Sequence, residues 1–185
     1  MKKKSLSFIL LILFCNHLVI TQEMHGHFWM LENYIGIDFQ ESPPNISLIT
    51  PDEFIGPGSF NVSICDEFGE LAFHSGGCFV LNAQNEIITN GDSINSDFSH
   101  SIFCDANYIP MPQNITALPF PHSIGKYIIL NLDLDIIANI LPAPQHLFAH
   151  TVDMTLNDGL GEVTAKKQII IQDTLARGYL QATRH

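Results

Sequence analysis

The stretch that decides the fold is GSFNVSICDEFGELAFHSGGCFVLNAQNEIITNG, Gly58–Gly91. Phe60, Val62 and Ile64 alternate with Ser59, Asn61 and Ser63, which is the period of a half-buried strand. Asp66-Glu67-Phe68-Gly69 follows as a turn, with a glycine free to take positive φ. Leu71–His74 reads as a second strand, Ser75-Gly76-Gly77 as a second turn and Cys78–Asn82 as a third strand. Asn85–Thr89 supplies a fourth before the turn dipeptide Asn90-Gly91. Four short strands in this span make one antiparallel meander, the size of a single β-propeller blade.

Upstream, Lys2-Lys3-Lys4 precedes an apolar run from Leu6 to Cys15 and then Leu18–Ile20. A basic cluster and a short apolar core describe a signal peptide over 1–22, too short and interrupted for a transmembrane span. Removal would take Lys+Arg from 8 to 5 against 19 acidic residues, leaving the mature chain near −14. That charge excludes a basic stripe for nucleic acid, and the mature chain offers no transmembrane span. The chain is 46% hydrophobic and 15% charged, so it can build a core. Thirteen Phe and ten Pro favour β-structure with many turns.

Residues 23–57 read as an N-terminal segment with one or two strands, at Ile35–Phe39 and Ile46–Thr50. The first blade is 58–91. A second four-strand blade with long loops occupies 92–173: an inner strand at Ser101–Asp105, an irregular proline-rich connection over Ile109–Ser123, then strands at Lys126–Asp133, Leu147–Leu156 and Val163–Asp173. Residues 174–185 read as the start of a further blade, cut short. The fold class is all-β: antiparallel four-stranded meanders, about two blades of an incomplete propeller. Because a ring needs roughly four to eight blades, the chain reads as part of a longer protein.

The same residues carry a resemblance. Asp66, Gly69, Leu71, Phe73, Gly77, Val80 and Asn82 match a blade pattern, S-D-x-x-G-x-L-x-F-Y-T-D-G followed by V-W-N. His74, Gly76 and Leu81 depart from it, replacing Tyr, Asp and Trp. Tyr127-Ile128-Ile129 resembles a Y-Y-I-F strand, and Val152–Val163 closely resembles V-D-M-x-L-N-G-G-L-G-D-V. Leu180–His185 resembles an L-T-A-V-x-H strand, and Trp29 with Gly36–Phe39 fits the expected opening loosely. The mature chain is thus similar to the N-terminal propeller region of large exported bacterial surface proteins, substrates of the type IX secretion route. The resemblance implies a secreted or outer-cell-surface location and a non-catalytic scaffold or binding role, with protein or glycan at the cell surface as partner. It implies no catalytic residues. The rival expectation is a fragment of a secreted propeller enzyme acting on polysaccharide.

Candidate chemistry is sparse. Among Cys65, Cys78 and Cys104, an exported protein can oxidise one pair. Cys65 and Cys78, on strands one and three of the meander, would stand about 9–10 Å apart, too far for a disulfide. Buried free thiols packing as small hydrophobes are the expectation. A zinc site has no CxxC support. His25-Gly26-His27 is the nearest approach to a metal motif and reads as a flexible polar terminus. Asn131-Leu132-Asp133-Leu134-Asp135 lacks the Gly and the closing Glu of a calcium loop. As a strand it places Asn131, Asp133 and Asp135 on one face, read as solvated. His74, His100, His122, His146 and His150 are scattered, and Asp66 and Glu67 serve a turn. Asn45, Asn61 and Asn114 match N-x-S/T by chance. No catalytic, cofactor-binding or metal-binding residue is assigned, and no cofactor is expected.

Overall fold

Three antiparallel meanders, taken in chain order, build the molecule. The computed structural model describes residues 24–31, 35–48, 61–106, 108–135, 143–175 and 180–182. The signal peptide at 1–22, the Pro57-Gly58 turn and the stretch 136–141 lie outside the described residues.

The first sheet has strand order β1 (Phe28–Leu31), β2 (Ile35–Asp38) and β3 (Asn45–Leu48). Among the described residues the N-terminal segment is therefore a three-stranded meander, one strand more than the two expected. The second sheet is β4 (Val62–Cys65), β5 (Leu71–Ser75) and β6 (Leu81–Asn82). The expected fourth strand reduces to isolated bridges, Ile87 to Leu81 and Thr89 to Glu162. The third sheet is four-stranded: β7 (Ile115–Pro119), β8 (Lys126–Leu132), β9 (His146–Asp153) and β10 (Glu162–Gln172). The fold is all-β, and among the described residues the sheets form no closed propeller.

Two further segments differ from expectation. The proposed inner strand at Ser101–Asp105 is instead helical, with α1 spanning Asp97–Phe103 and a 3₁₀ turn over Cys104–Ala106. Ser96 caps the helix: its hydroxyl accepts the Ser99 amide at 3.2 Å, satisfying a donor with no intrahelical partner. Ser99 then uses its own hydroxyl on the chain after β8, accepting from Leu134 N at 2.8 Å and donating to Leu134 O at 2.9 Å. The second difference is β7, a strand inside the proline-rich connection. It lies at a sheet edge, where Pro119 at its end removes no needed ladder hydrogen bond.

The second and third sheets pack face to face. Ile64 and Phe73 from one meet Ile115, Tyr127, Ile129, Val152 and Val163 from the other, and Val80, Ile88 and Ile94 join the same core. Burying such side chains contributes roughly 1.5–3 kcal/mol each. A smaller core at the far end gathers Cys78, Cys104, Ile109, Met111, Leu132 and Leu134.

β4 and β7 run side by side in the same direction. Val62 and Ser63 line one hollow with Ile115 and Thr116, while Cys65 O at the other end meets the hydroxyl of Tyr127, which pairs with Pro119. β1 crosses β4 in the opposite sense. Met30 N donates to Ser63 Oγ at 3.1 Å and Phe28 N to Cys65 Sγ at 3.1 Å.

Candidate functional site

A concavity lies where the β4–β5 and β7–β8 turns come together. It is a groove of about 720 Å³, and beside it is a second hollow of about 310 Å³. Glu67, Ile124, Gly125 and Tyr127 line both.

Each wall has a local cause. In the β4–β5 turn, Asp66 Oδ1 accepts from Phe68 N at 2.9 Å and Glu70 N at 3.0 Å, an Asx-type turn. Gly69 sits at φ +89, and a side chain there would meet the Gln40 amide, which donates to Gly69 O at 2.9 Å. In the β7–β8 turn, Phe120 N bonds Lys126 O at 2.7 Å and Met154 N bonds Gly125 O at 2.8 Å. Tyr127 forms the floor. Its ring is buried, edge-on to Phe73 at 5.2 Å, and burial holds its phenol well above the ordinary range. Lys126 pairs with Asp153 at 3.0 Å. Burial pushes the Asp153 carboxyl up, but hydrogen bonds from Thr155 and Lys126 outweigh it and hold it below the usual range.

Leu118, Pro119, Phe120, Pro121 and Ile124 make the walls apolar, while His25, Glu67, His122 and Ser123 supply polar groups. The lining is thus mostly apolar with a few polar groups at its rim and floor. Asp66 and Glu67 are neighbours on one turn, whereas glycoside hydrolysis needs two carboxylates facing each other across the bond.

His25 and His27 are not a flexible terminus. His25 O accepts from Cys65 N at 2.9 Å and its ring Nδ1 meets Cys65 O, so this segment is docked on β4. Among the described residues, no group of three or more His, Cys, Asp or Glu side chains is placed to hold a metal ion.

The solvated-face reading of Asn131–Asp135 is overturned. Asn131 and Asp133 are fully buried, and their side chains bond to β9 and the chain just before it rather than to solvent. Asn131 Oδ1 takes a 2.7 Å hydrogen bond from His150 Nε2. His150 Nδ1 accepts the Lys167 amide at 3.2 Å, which places the ring proton on Nε2. Asp133 Oδ1 accepts from Gln145 N at 2.7 Å and His146 N at 2.8 Å, and Oδ2 meets His146 Nδ1 at 2.7 Å. His146, Phe148 and His150 form a ladder along β9, with the first two rings stacked at 5.3 Å. Their spacing of two was the signal in the sequence that these histidines share a face.

Burial lowers His150 to about 4, with Lys167 and Lys166 adding repulsion. Burial likewise lowers His74 to about 4, against an opposing pull from the Asn85 side chain. Both are neutral structural histidines at pH 7.

The expectation of free thiols fails for one pair. Cys78 and Cys104 form a disulfide with Cα atoms 5.5 Å apart, because α1 returns the chain to the end of β5. Cys65 is a buried free thiol, and burial raises its pKa. Of the three N-x-S/T matches, Asn45 is exposed and Asn114 is fully buried.

Comparison with protein-family models, with curated proteins and with solved structures finds no match in any of the three. Among the described residues, no helix is long and apolar enough to cross a membrane.

Proposed function

We propose that this chain is a non-catalytic scaffold and binding portion of an exported cell-surface protein, of the propeller type carried by the type IX route. One observation carries the reading. β4 and β7, the first strands of successive outward meanders, run side by side in the same direction, with their sheets stacked face to face. Adjacent blades of a propeller meet in this way. The Cys78–Cys104 disulfide supports an oxidising compartment.

The groove between the turns is the ligand surface in this reading, and it takes a protein segment or a glycan. The test is to probe glycan and peptide arrays with the chain, then repeat with Phe120→Ala, Glu67→Gln and His122→Ala. A ligand whose binding falls about tenfold in these variants, with circular dichroism unchanged, fits the reading. Binding indifferent to all three, or hydrolysis of an arrayed glycan, overturns it.

A further inference from the structure

β10 breaks the usual burial rule at its C-terminal half. Every residue from Gln168 to Thr174 is exposed, and Ile169, Ile170 and Ile171 show 53%, 57% and 44% of their surface. Because successive side chains point to opposite sides, both faces of this strand end are open. β10 is also the last strand of its sheet, so its far edge carries no strand among the described residues. Along β9 the register shifts between Ile169 and Ile171, and Ile170 takes no partner there. Three consecutive exposed isoleucines on an open edge are what a monomeric protein normally avoids.

The segment reads Lys167-Gln168-Ile169-Ile170-Ile171-Gln172-Asp173. Around Ile170 it is a palindrome in chemistry. An antiparallel pair of two such strands, with Ile170 on the two-fold axis, sets Ile169 against Ile171 and Gln168 against Gln172. The same register sets Lys167 against Asp173, twice. A two-fold interface needs this self-complementarity, since each residue meets the partner of its own symmetry mate. We propose that the Lys167–Asp173 segment of β10 pairs edge to edge with the same segment of a second copy of this chain.

The existing contacts leave the charges available. Lys167 Nζ now lies 3.2 Å from Asp97, whose side chain is fully exposed, and such surface pairs are weak and exchangeable. Among the described residues the Asp173 carboxylate takes a local hydrogen bond, from Thr174 N at 2.7 Å. The pairing would set the isoleucines against those of the second copy as cross-strand neighbours and give the edge its missing ladder.

Sedimentation velocity of the full chain over a concentration series tests this. A reversible dimer is expected. Lys167→Asp or Asp173→Lys alone sets like charges opposite each other at both ends and should weaken it about tenfold or more. The double variant, Lys167→Asp with Asp173→Lys, should restore it. The left-handed backbone at position 167, φ 54, tolerates Asp, and thermal midpoints check that each variant folds. In parallel, Ile170→Cys should cross-link as a dimer under mild oxidation. A monomer at all concentrations, a dimer indifferent to the single reversals, or a failure of the double variant to restore it overturns the proposal.

Discussion

Asn131–Asp135, the end of β8 and the chain after it, and Gln168–Gln172 in β10 have inverted exposure. The first alternates polar and apolar residues, yet its Asn131, Leu132, Asp133 and Leu134 are all buried. The second holds three isoleucines, and all are exposed. The difference lies in what is available to each. Asp133 has His146 and two backbone amides to bond and Asn131 Oδ1 has His150, so burial leaves the carboxylate and that amide oxygen satisfied, while among the described residues Asn131 Nδ2 has no partner. Ile169 and Ile171 stand in the same ladder rows as Asn131 and Leu132, but on the edge strand of the sheet, and none of the three isoleucines belongs to either apolar core. Side-chain polarity alone therefore does not place a strand in this fold; position in the stack of sheets does.

Acid should disturb the inner segment most. His150 and His74 have folded pKa values of about 4, below the unfolded value near 6.5. The unfolded chain thus takes up protons first, so stability is complete above pH 6.5 and falls as pH drops toward 4. Two such groups should cost roughly 4 kcal/mol between pH 7 and 5, read from urea midpoints. Flat stability over that window would show that neither ring is held neutral.

Next comes Asp133→Ala. It strips the acceptor from two backbone amides and the His146 ring, and should destabilise by roughly 3–4 kcal/mol. A cost under about 0.5 kcal/mol would mean that the carboxylate is solvated after all. Loss of the Cys78–Cys104 bond, by Cys78→Ser with Cys104→Ser, should cost about 3 kcal/mol for a loop of this size. It also frees α1, whose Ser99 bonds the backbone of Leu134. The smallest effect is expected outside. Ile170→Thr should change unfolding free energy, measured in dilute solution, by less than about 0.5 kcal/mol. A larger loss would mean that Ile170 packs within its own chain.

Much of the fold was legible because alternation and turn chemistry agree locally. β8, β9 and β10 fall where Lys126–Asp133, Leu147–Leu156 and Val163–Asp173 place them, and Asn157–Gly161 turns between the last two. α1 was missed although Ser96 and Asp97 give a cap and an acidic first turn, because seven residues of helix hardly show a 3.6 period. The disulfide was hidden with it, since the helix is what returns Cys104 to Cys78. β7 was masked by its prolines, which an edge strand tolerates. For Asn131–Asp135, the period of two states which residues share a face, not what covers that face. The groove was illegible for a related reason: its walls come from turns more than fifty residues apart, joined only by the packing of two sheets.

Amide hydrogen exchange on the intact chain at high and low concentration tests the inversion most directly. Amides of Ile129–Leu134 should exchange slowly at both concentrations, at rates set by global unfolding. Those of Gln168–Gln172 should exchange fast when dilute and gain protection as concentration rises. Rapid exchange across Asn131–Leu134, or protection at Gln168–Gln172 that is equally strong when dilute, would contradict the assignment of one segment to the interior and the other to an open edge.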